Sequence, residues 1–144
     1  MSEGSTMRAL SGVLLLKILL TLVCWAAPLL LLSGDTLVAL GFPLPQPMLF
    51  VRLLGVAWLA LVFGYLHGAA RAWRGDYPGG IVWMGLVSNG GACGLLAGAW
   101  WRGTWSGWGE QAQWLLQVSV AATGVLTLAL LLTGPLRRSA ANPV

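Results

Sequence analysis

The sequence predicts an all-α fold, an integral membrane four-helix bundle with both termini cytoplasmic, and three observations carry that prediction. The composition is 58% hydrophobic and 8% charged over 144 residues, against about 45–50% apolar and about 25% charged in soluble domains. So short a soluble domain would leave large apolar patches in water. Four stretches, 9–32, 48–70, 81–101 and 113–133, reach the roughly 20 residues needed to cross a hydrocarbon core of about 30 Å as helix. Arg8, Arg71, Arg74, Arg137 and Arg138 fall on one side of those stretches, against Arg102 and a snorkelling Arg52 on the other. By the bias of basic residues toward the cytoplasm, this sets the orientation. Residues 1–144 form a single membrane domain.

The first stretch has the outline of a secretory signal, Arg8 before an apolar run and Ala26-Ala27 near its end. Its length exceeds the usual h-region of about 7–15 residues, so it reads as a retained helix, kinked in its outer half by Pro28. Residues 33–47, SGDTLVALGFPLPQP, are too short to span and too apolar to float free, and are expected to lie in the outer interface. The second helix ends in the turn RAWRGDYPGG (71–80), where Pro and Gly break one helix and let the next begin. On the third helix Gly90, Gly94 and Gly98 recur every four residues, and Gly64 and Gly68 repeat the spacing on the second. Such grooves let backbones approach closely. The reading is tight packing of helices two and three through a contact face at Gly94, with a homodimer seam as the alternative. The loop RGTWSGWGEQA (102–112) sets Trp105 and Trp108 beside Trp100, Trp101 and Trp114, an aromatic belt at headgroup depth or a ligand platform. The tail 134–144, GPLRRSAANPV, reads as disordered.

Chemistry is sparse. One His, four acids and two Cys supply few catalytic or metal constellations. Glu3, Asp35, Asp76 and Glu110 all fall in tails or loops, and a proton-coupled transporter normally needs an intramembrane carboxylate. There is no P-loop, HExxH pair or nucleophile elbow, so an independent enzyme is not expected, nor a cofactor or metal. A single His67 excludes bis-histidine haem within one chain, though two copies in a dimer would supply a pair. Cys24 and Cys93 form no CxxC motif and read as small hydrophobes. The net charge of +4 is spread as scattered arginines suited to lipid headgroups and gives no support to nucleic-acid binding.

Polar residues inside spans are functional candidates by default. Lys17 either snorkels to the cytoplasmic surface or presents a buried amine. Asn89, beside Ser88 and before Gly90-Gly91, reads as interhelical glue or as a point where the helix loosens for a ligand. With His67, Trp83 and Tyr65, these two make the candidate site for a quinone or other lipid-like molecule. Arg52 on helix two and Gln117 on helix four lie at similar depth. Either they bond to each other, with Asp35 or Glu110 above, or Arg52 snorkels to phosphates.

Phe50-Val51-Arg52-Leu53-Leu54-Gly55, followed by an apolar helix, a short Pro-containing turn and a third helix rich in small residues, resembles the DoxX-like group of small four-helix membrane proteins. The resemblance covers helices two and three and lies in their layout. It implies a multi-pass protein of the bacterial inner membrane, in a group with some members linked to quinone-dependent sulfur oxidation. The sequence departs from that pattern at Ser88-Asn89-Gly90-Gly91, and no catalytic residue is carried over. The functional expectation is a non-catalytic accessory or anchoring subunit, with the lipid bilayer and a membrane-protein partner or a second copy as its contacts. The alternative is the intramembrane small-molecule site, redox-linked if it takes a quinone.

Overall fold

The computed structural model describes residues 3–44 and 47–136. It contains helices α1 (Glu3–Thr21), α2 (Ala27–Leu31), α3 (Gly34–Ala39), α4 (Leu49–Trp73), α5 (Gly79–Trp101) and α6 (Glu110–Thr133), with no strand among the described residues. Four helices, α1 with α2, then α4, α5 and α6, are long and apolar enough to cross a membrane.

Between α1 and α2 lies a π-helical turn, Leu22–Ala26, ending two residues before Pro28. Proline has no N–H to give the carbonyl one turn earlier, and the widened turn takes up the mismatch. Where Pro28 led to the expectation of a kink, the structure has this π turn. Because α1 begins at Glu3, Lys17 lies near the middle of the Gly4–Leu31 span, and its stem cannot cover the distance of about 20 Å to either end at 1.5 Å per residue.

The helices pack in the cyclic order α4, α1, α6, α5. The tight pairs are α1 with α4 and α5 with α6, whereas α4 and α5 meet chiefly beside their turn. There, an added Cβ at Gly68 would lie 2.6 Å from Ile81 Cγ2 and one at Gly64 3.1 Å from Met84 Cε. The expectation of tight packing along helices two and three is corrected accordingly. Gly94 has no neighbour within 4 Å of an added Cβ and is exposed, so it is no contact point. The intimate glycine contacts of α5 are with α6: Gly85 against Leu130 and Gly90 against Thr127, with Gly124 of α6 against Cys93.

At the end opposite the 74–78 turn, hereafter the loop end, Ser33 caps α3 by accepting the Thr36 N–H at 3.1 Å. Beyond α3, Gly41 adopts φ +86° and meets Gly109 backbone to backbone, where a side chain on either would collide. The Gly109 N–H donates to the Gly41 carbonyl at 3.0 Å, and Phe42 sets edge-on against Trp108, centroids 6.1 Å apart. Trp105 is 4% exposed while Trp101 is 93% exposed. Trp100, Trp101 and Trp114 are thus outward-facing, and Trp105 is a packing residue of the loop. Of the tail, Gly134 is buried against Val82 and the Tyr77 hydroxyl; residues from 137 onward lie outside those described.

Candidate functional site

The inward face of α1 is the stripe Leu10, Leu14, Lys17 and Thr21, all buried, at the three- and four-residue spacing of one helical face. Lys17 is therefore carried into the bundle rather than to its rim, and is 1% exposed. Its Nζ donates to Asn89 Oδ1 of α5 at 2.7 Å and stands 4.5 Å from the centre of the Tyr65 ring of α4. An ammonium over an aromatic face is attracted by the ring quadrupole. Snorkelling is overturned; the interhelical role of Asn89 holds.

The rest of the cluster closes on one carbonyl. Asn89 Nδ2 donates to Gly85 O at 2.8 Å, and Ser88 Oγ donates to the same oxygen at 3.2 Å. With the Ser88 proton so placed, the 2.8 Å contact between Tyr65 Oη and Ser88 Oγ is one in which the tyrosine donates. Tyr65 is fully buried. Three helices, α1, α4 and α5, are joined here by polar side chains, in a region where an unpaired polar group is costly. Helix α5 runs unbroken through Gly90-Gly91, so the backbone does not loosen for a ligand there.

Of the five candidate residues, Lys17, Tyr65 and Asn89 converge, and His67 and Trp83 do not. His67 is exposed on the outer face of α4, and Trp83 is 59% exposed on α5. Ser11 is the polar residue that sequence reasoning missed. Its hydroxyl donates to Ala69 O at 3.1 Å and pins α1 to α4; the available signal was its place next to Leu10 on the inward stripe.

Arg52 and Gln117 do not meet. Arg52 Nη1 donates to Leu29 O at 2.6 Å and Nη2 to Leu32 O at 2.7 Å. Those carbonyls belong to the last turn of α2, where no further helical N–H follows. A nearby guanidinium meets that need before any longer reach to Gln117. Arg52 is thus the cap of the first span, and Gln117 faces a groove beside Leu40. The Trp58 indole N–H, in a ring stacked 5.8 Å from Trp25, is buried without a partner. Among the described residues no group of three His, Cys, Asp or Glu is placed to hold a metal ion.

Compared with protein families, curated proteins and solved structures, the chain finds no match.

Proposed function

We propose that the chain is a non-catalytic integral membrane protein, an accessory or anchoring subunit that holds partners in the plane of a bacterial inner membrane. One observation carries this reading. Only 22–28% of the most apolar window of each candidate span is buried within the chain, while Ser11, Lys17, Tyr65, Ser88 and Asn89 in the core bond to one another or to backbone carbonyls. What the bundle offers its surroundings is apolar helix surface, suited to lipid and to other membrane helices. The arginine asymmetry supports an orientation with both ends cytoplasmic. Membership of the DoxX-like group is a proposal resting on layout.

The alternative, an intramembrane site for a quinone or other lipid-like molecule, draws on the convergence of Lys17, Tyr65 and Asn89. Purification in mild detergent separates the two. A stoichiometric protein partner is expected; a quinone or pigment retained without a partner, seen by absorbance and mass spectrometry, overturns the anchoring role. For orientation, Ser106→Cys and Asp76→Cys, in a background lacking Cys24 and Cys93, should label from opposite sides. Labelling of both by an impermeant reagent in intact cells would refute the topology.

A further inference from the structure

A groove of about 650 Å³ runs along the first two turns of α6 at the loop end, with Leu40 at its edge and Glu110, Gln113, Trp114, Leu115 and Gln117 in its lining. Its one charged side chain is an acid, set among the amides of Gln111, Gln113 and Gln117. The Glu110 carboxylate is exposed and has no ion-pair partner among the described residues. Gln113 Nε2 donates to Trp108 O at 2.8 Å and Ser106 O at 3.2 Å. Its own carbonyl oxygen is thereby left as an acceptor. Trp114, one turn after Glu110 on the same side of the helix, is 62% exposed and offers an open ring face. No cationic side chain lines the groove.

A carboxylate, a spare carbonyl and an indole face within two helical turns suit a donor-rich cation. Leu115 and Leu40 suit the alkyl part of the same molecule. We propose that this groove holds an aminophospholipid of the surrounding bilayer, its ammonium on Glu110 and Trp114 and its acyl region running down α6 past Leu115. The inference rests on the membrane reading above and on no particular protein partner. The amides of Gln111 and Gln117 can donate to the phosphate of either headgroup, but one without an amine brings no cation to Glu110, and a free amine leaves the apolar wall uncovered.

The purified, delipidated chain in mild detergent is incubated with equal amounts of phosphatidylethanolamine and phosphatidylglycerol, and bound lipid is read by native mass spectrometry. A single phosphatidylethanolamine is expected in preference by about five-fold, the scale of an exposed charge pair. Glu110→Gln should bring the ratio to parity, and Trp114→Leu should reduce it with thermal stability unchanged. Equal retention of both lipids by the native chain, or an undiminished preference in both variants, overturns the proposal. Absence of a copurifying protein leaves this ratio untouched. Recovery of the chain from the soluble fraction would instead refute the membrane reading itself.

Discussion

From the 74–78 turn up to the level of Asn89, one contiguous apolar core closes the bundle; from there to the loop end, smaller separate contacts do so. The contiguous core of Leu10, Leu14, Tyr65, Ala69, Ala72, Val82, Leu86 and Leu130 belongs to the turn half. In the loop half α5 has no buried residue after Asn89, and α6 has none between Leu116 and Leu126. Closure there comes from the Gly41–Gly109 backbone contact, the Arg52 cap, the stacked Trp25 and Trp58, and separate buried side chains such as Leu37, Val51, Trp105 and Leu116. In lipid, apolar burial between helices brings little gain, so close packing and polar bonds must hold spans together. The turn half uses both, and the Lys17–Asn89 bond marks where its contiguous core ends.

Removing the Lys17 acceptor should break that boundary most severely. Asn89→Leu leaves a buried amine without its hydrogen bond and should cost roughly 3 kcal/mol in detergent unfolding. Adding Lys17→Met should recover much of the loss, because the two groups share one interaction. A neutral single variant would show that the amine finds another acceptor. In the loop half, Arg52→Met strips the Leu29 and Leu32 carbonyls of their donor and should cost about 2 kcal/mol. Gln117→Ala should add nothing non-additive to it. A coupling between those two sites, measured as a double-mutant cycle, would reinstate the network that the geometry replaces.

Smaller effects sharpen the contrast between two glycines. Gly68→Ala, in the turn half, pushes a methyl against Ile81 Cγ2 and should cost about 1 kcal/mol, the low end of overpacking. Gly94→Leu, in the loop half, meets open space and should change thermal stability by less than about 0.5 kcal/mol. Should the second variant lower stability more than the first, α5 would be packing through its outer face against a second copy.

By itself the sequence determined that the chain is helical, that four segments are long enough to span, and roughly where they turn, since length, hydropathy and Pro-Gly breaks act locally. It also singled out Lys17, Tyr65 and Asn89, because polar groups among apolar neighbours are conspicuous. Only the tertiary structure decided which way they point. The spans are apolar on nearly every side, so periodicity does not tell an inward face from a lipid-facing one, and Lys17 read more readily as rim than as core. The same ambiguity misplaced Gly94, since four-residue glycine spacing marks a groove but not which helix, if any, fills it. Arg52 went to Leu29 and Leu32 for a reason no spacing shows: the end of α2 leaves carbonyls unbonded, and the fold brings that end beside α4.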